Sequence, residues 1–159
     1  QLSILNCRRG EYMRTYGVHF NNTSLLVEFD FWRILVLNFL EDADSIRIDC
    51  WNGEEEIIKE LLPLSKEVDR DSFKDMTIFT FDINDNTINE IVYNGFKKNK
   101  RPKWFSLFLQ REGEIFFSSE HYGDELSMDN ITSEEVKWVK YVVPKSFSFH
   151  SWISKKKEV

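Results

Sequence analysis

Between residues 76 and 117 apolar side chains alternate with polar ones, a period that only extended backbone turns to one side. Phe79, Phe81 and Ile83 alternate with Thr80 and Asp82. The run Asn84-Asp85-Asn86-Thr87 follows as a turn, because Asn and Asp bond locally and accept left-handed backbone. Residues 77–83 and 88–94 therefore read as one hairpin. Residues 104–110 and 114–121 read as a second, with Gly113 supplying the positive φ of a three-residue loop. In that register Leu107 faces Phe117 and Leu109 faces Ile115, while Phe108 meets Phe116 on the other side, near Trp104. Both faces of this hairpin carry large apolar groups, so a helix or a partner must cover the second one.

The same plan extends to either side. Residues 14–20, a turn at Asn21-Asn22-Thr23-Ser24 and residues 25–31 read as a hairpin, with Tyr16, Val18, Phe20, Leu25, Val27, Phe29 and Phe31 on one face. Residues 32–39 fit two states. Asp30 can cap a helix there, but the alternation of Ile46, Ile48 and Cys50 after an acidic turn favours a strand and a further hairpin. Residues 54–62 form a helix: Asn52 can cap it, Glu54, Glu55 and Glu56 suit its first turn, and Pro63 stops it. Residues 64–76 read as a polar connector and residues 123–130 as an acidic loop. Thr132 and Glu135 have capping-box spacing and open a helix to Val143, although the β-branched run there also suits a strand. Phe147, Phe149 and Trp152 suggest a final extended piece. Residues 2–5 are a candidate short strand and residues 8–11 a turn.

A chain of 159 residues with 42% hydrophobic and 15% aromatic content suffices for one domain with a real core. No run approaches the roughly 18 apolar residues of a membrane span. The chain starts at Gln1, which fits a removed leader or anchor as well as a trimmed tag. Cys7 and Cys50 either pair or are unrelated thiols. Richness in Lys, Asn, Ile and Phe fits an AT-rich genome, as many bacteria have. The net charge of −6 is unevenly spread. Residues 41–90 hold 15 acidic and 5 basic side chains, and residues 112–135 hold 8 acidic and none basic. Such a field disfavours nucleic acid; it reads either as a solvated surface that keeps the chain soluble or as one that favours a basic protein partner.

No catalytic constellation stands out, and neither a metal nor a cofactor is implied. Glu120, His121, Asp124 and Glu125 read as a polar loop rather than a cation site. Asp82 to Asn86 starts like a calcium loop but has Thr87 where the turn glycine belongs. The basic run 97–103 before Trp104 and Phe105 reads as a solvated connector rather than a stacking site for bases. Surface aromatics with charge of one sign are what a protein interface uses. The candidate partner-binding residues are Asp82, Asp85, Glu90, Tyr93, Trp104, Phe108, Phe116, Glu120, Tyr122, Asp124 and Glu125.

The expected fold is α+β: one domain with a large, mainly antiparallel, hairpin-built meander of about six to eight strands and two helices. A curved, concave sheet with one open face fits this plan. A small, acidic, aromatic-rich hairpin protein of this kind resembles bacterial toxin-system immunity proteins. In architecture it is most similar to the TipC type, through residues 77–96 and 104–117. That resemblance implies a non-enzymatic protein that binds a cognate toxin and occludes its active site, held outside the membrane by an N-terminal anchor removed from this chain. A cytoplasmic location stays open. The alternative is a small-molecule or lipid-binding domain of the cell envelope, with the doubly apolar hairpin lining a pocket.

Overall fold

The computed structural model describes residues 14–154. Eight strands form one sheet: β1 (Tyr16–Asn22), β2 (Ser45–Trp51), β3 (Glu67–Asp69), β4 (Met76–Asp82), β5 (Ser106–Arg111), β6 (Glu114–Glu120), β7 (Glu125–Ile131) and β8 (Phe147–Ile153). Their order is β3-β4-β2-β5-β6-β7-β1-β8, and every neighbouring pair is antiparallel. Four α-helices accompany them: α1 (Asp30–Leu40), α2 (Glu55–Leu61), α3 (Asp85–Ile88) and α4 (Ser133–Val142). A 3₁₀ turn, Leu62–Leu64, follows α2, and a π-helical turn, Asn89–Tyr93, continues α3. The fold is thus α+β with an open antiparallel sheet, as expected, but it has more helices than the two anticipated.

Among the described residues, only β5-β6-β7 is a meander, and only β3 and β4 otherwise pair in sequence. The remaining connections are crossovers. Alternating directions across the sheet make β1 parallel to β2, β2 to β3, β4 to β5, and β7 to β8. Parallel strands cannot be joined by a tight turn, and the helices make these links. Two crossovers run one way along the strands and step one way across the sheet; the other two reverse both. With the single hand that such crossovers take, all four helical segments fall on the same face.

This topology corrects three of the expected hairpins. Residues 25–31 do not pair with β1: Leu25 and Leu26 stand 96% and 92% exposed, and the chain turns into α1 at Asp30. Residues 31–40 are helical rather than a strand. Their buried set, Phe31, Trp32, Leu35, Val36, Phe39 and Leu40, recurs at helical spacing. Residues 88–94 are helical too. Asn84 is extended and caps α3, accepting from the Thr87 amide at 3.0 Å, while the Thr87 hydroxyl accepts from the Asn84 amide at 3.0 Å. What looked like a hairpin turn is a capping box.

The β5–β6 hairpin is present with a different register. Glu112 and Gly113 both take positive φ (52° and 77°), so the turn has two residues, not three. Leu107 lies opposite Ser119, Phe108 opposite Ser118 and Leu109 opposite Phe117, with an irregularity between Leu109 and Gln110. Phe108 and Phe116 do not meet. The stretch expected as an acidic loop is largely β7, and the polar connector contains β3. The helix at residues 54–62 is α2, but no side chain caps it; Glu54 occupies the cap position and its carboxylate accepts from the Trp51 amide at 3.1 Å. The capping box of Thr132 and Glu135 opens α4, and the final extended piece is β8. The candidate strand and turn near the N-terminus, Cys7, and the lysines at 155–157, which as a sequence read as a solvated tail, lie outside the described residues.

The helices cover the face that bears Val18, Phe20, Ile46, Ile48, Phe79, Phe81, Leu107, Leu109, Phe117, Leu126 and Met128. Trp32 of α1 reaches down to donate its indole N–H to Ser119 at 2.9 Å, and Phe39 packs on Phe117 with ring centroids 5.5 Å apart. Phe39 also meets Trp138 of α4 edge-on at 6.5 Å. Each such buried apolar side chain contributes about 1.5–3 kcal/mol.

Candidate partner-binding surface

Cross-strand partners share a face, so the register names the residues of the side that no described helix covers. From β3 to β8 it carries Glu67 and Asp69, then Ile78, Thr80 and Asp82, then Ser45, Arg47 and Asp49, then Ser106, Phe108 and Gln110, of which Ile78, Asp49 and Ser106 are buried. It continues with Ser118 and Glu120, Glu125 and Ser127, His19 and Asn21, and finally Ser148 and His150. Strands buried on one side and wetted on the other must alternate in this way.

Arg47 anchors this face. It grips Asp49, two residues along the same strand, through two parallel bonds: Nε to Oδ1 and Nη2 to Oδ2, each 2.8 Å. The bond to Asp49 holds the guanidinium above its ordinary range, outweighing the opposing effect of burial. The same guanidinium lies 5.2 Å from the centroid of the Phe108 ring and 6.0 Å from that of Phe73. Phe73 comes from the loop after β3 and is 53% exposed. Asp69 lies on the same side. Hydrogen bonds from Ser72, and then from the Asp71 amide, hold its carboxyl below the usual range. Lys66 pairs with Asp82 at 3.5 Å. The result is an aromatic and guanidinium centre beside carboxylates on both flanks.

The predicted candidates divide into groups. Asp82, Phe108, Glu120 and Glu125 lie on this open face. Tyr122 and Asp124 sit in the turn at one end of it, where His121, Tyr122 and Gly123 all take positive φ. There Tyr122 donates to Glu54 at 3.2 Å, and its hydroxyl is pushed above the ordinary phenol range by burial and then by that carboxylate. Phe105 packs between Trp51, His121 and Tyr122, with centroids 4.9–5.4 Å away. Asp85, Glu90 and Tyr93 belong to α3 and its π-helical continuation, apart from the face. Trp104 is core: it is 1% exposed and donates its indole N–H to the Ile91 carbonyl at 2.9 Å. Phe116 is also buried, under the Arg111 guanidinium at 5.1 Å.

The hairpin's first apolar face is therefore filled by α1, and its second is a mostly polar surface in which Phe108 is half-buried. The basic connector is docked rather than solvated throughout. Arg101 pairs with Asp124 at 2.7 Å, Lys103 with Glu60 at 2.7 Å, and Lys97 sits 4.3 Å from the Tyr122 ring centroid. Sequence reasoning missed Arg47, Asp49, Glu67, Asp69 and Phe73. The alternation in β2 already placed Arg47 and Asp49 together, on the side opposite Ile46 and Ile48.

Among the described residues no group of three or more His, Cys, Asp and Glu stands together in a way that could hold a metal ion. Nor, among them, is any helix long and apolar enough to cross a membrane. No protein-family model matches the chain, and comparison with curated proteins and with solved structures yields no match.

Proposed function

We propose that this protein is a non-enzymatic immunity protein that binds a cognate bacterial toxin one-to-one and occludes its active site. The observation that carries this reading is the uncovered sheet face, with carboxylates flanking the Arg47–Asp49–Phe108 centre. A rigid sheet presents such a face without ordering cost, the acidic field speeds encounter with a basic partner, and the aromatics supply anchor area. The toxin's basic active-site rim would lie on Glu67, Asp82, Glu120 and Glu125, with Phe108 and Phe73 sealing the contact.

The test is co-expression with a toxin encoded beside its gene. The expected result is a complex with equal numbers of the two chains, loss of toxin activity, and binding that weakens steeply with salt. The double charge reversal Glu67→Lys with Asp82→Lys should slow association at least tenfold while leaving the fold intact. Full inhibition by a variant with Phe108 and both carboxylates replaced would sink the assignment of this face. Failure to bind any neighbouring toxin would sink the immunity reading.

A further inference from the structure

Among the described residues, the two edges of the sheet are built differently. β3 is three residues long, carries Glu67 and Asp69, and is flanked by Lys66 and Arg70. Short, charged edges resist pairing with another chain. β8 runs for seven residues, FSFHSWI, with no Lys, Arg, Asp, Glu or Pro, and keeps one register against β1 along its whole length. Trp152 and Ile153 on it are 47% and 59% exposed.

The ladder shows which backbone groups of β8 point outward. Thr23 N–H donates to the Ser146 carbonyl at 3.3 Å, and Ser154 N–H donates to the Thr15 carbonyl at 2.9 Å. In an antiparallel pair these bonds recur at every second residue, so Ser148, His150 and Trp152 also turn theirs toward β1. Phe149, Ser151 and Ile153 turn theirs away. The Phe147 amide is held by the Pro144 carbonyl at 3.0 Å. Trp152 does not screen the outward row. A Cβ on Gly17 of β1 would fall 2.1 Å from its ring, so the indole lies back across β1.

We propose that β8 pairs antiparallel with β8 of a second copy of this chain, about a two-fold axis at Ser151, so that one sheet runs through both copies. Outward groups must meet outward groups. Of the possible registers, the one about Ser151 uses all three outward residues. It sets Ser151 against itself, where a small side chain suits the axis, and Phe149 against the second copy's Ile153 on the helix-bearing side. It sets His150 against the second copy's Trp152 on the open side. Aromatic and β-branched cross-strand pairs of this kind are favourable, and no carboxylate or ammonium opposes its like within residues 149–153. A register about Phe149 would instead bring Ile153 against Lys145. The pairing leaves the open face on both copies unblocked and does not depend on the function proposed above.

Light scattering and sedimentation of the full chain over micromolar to submillimolar concentration test this. The expected result is a two-chain mass that Ser151→Lys converts to a one-chain mass with unchanged circular dichroism. Lysine there brings two ammonium groups to the axis without touching the internal ladder. Ser151→Cys gives a second readout that holds even if the lysine variant fails to fold. Hydrogen-bonded antiparallel partners have Cα atoms about 5.5 Å apart, within disulfide reach, so in a Cys7→Ser background mild oxidation should link two copies of the Ser151→Cys variant and none of the chain that keeps Ser151. A one-chain mass at every concentration, a dimer indifferent to Ser151→Lys, or the absence of a cross-link would each overturn the proposal. In the first case the edge is left to a strand of a different protein.

Discussion

Cys50 shows how far a side chain's chemistry departs from what its letter suggests. It is fully buried on β2, with its thiol 3.8 Å from the Thr77 carbonyl. Burial, and then the Glu54 and Asp49 carboxylates, push that thiol up to about 12 from an ordinary 9.0. The thiolate is the reactive form, so native Cys50 should resist alkylation at pH 8 and react promptly once guanidinium unfolds the chain. A Cys7→Ser background isolates the signal, and rapid native labelling would contradict the burial. The sign of the linkage is also set. Between 9.0 and about 12 the unfolded chain loses a proton that the folded chain keeps, so stability falls as pH rises through that window. Sequence spacing left Cys50 open to a disulfide with Cys7. Its burial follows from its place beside Thr77 in β4, a neighbour 27 residues away.

At the level of the element, two capping boxes contrast in legibility. Thr132 and Glu135 announce α4, because Thr-x-x-Glu before an apolar stripe has few other uses. Asn84 and Thr87 form the same device, yet Asn-Asp-Asn-Thr between two apolar runs is equally good turn chemistry. Removing either cap side chain should cost about 1 kcal/mol. For Thr132→Ala the loss should appear in both urea denaturation and hydrogen exchange of α4. Asn84→Ala should cost more than a solvent-exposed hairpin turn would. The Thr87 hydroxyl also donates to the Asp82 carbonyl at 2.7 Å, so this cap ties α3 to the end of β4. An Asn84→Ala variant as stable as the parent would favour the turn reading.

For the whole molecule, the decisive property is that its helices share one face. Ser118 and Ser119 are neighbours on β6 that test this directly. Ser118 faces the open side opposite Phe108, whereas Ser119 is 1% exposed and accepts the Trp32 indole N–H. Ser118→Asp should change stability by no more than about 0.5 kcal/mol, as surface substitutions do. Ser119→Asp should cost several kcal/mol in urea titrations, because it buries a carboxylate among apolar groups. Equal costs would mean that the open side is not open. Local patterning determined a good deal here. The period-2 runs of β1, β2, β4, β5 and β6, the apolar stripe of α2 and the cap of α4 are all written in adjacent residues, since each rests on interactions a few positions apart. Hairpin or crossover was not so written. An apolar run such as residues 31–40 buries equally well as strand or helix, and nearness in sequence favours the hairpin. Only the insertion of β2 between β4 and β5, and of β1 between β7 and β8, decided the matter. Those long-range pairings left no strand position for the intervening segments, drove them over one face as helices, and so turned the polar half of each alternating strand into a single exposed surface.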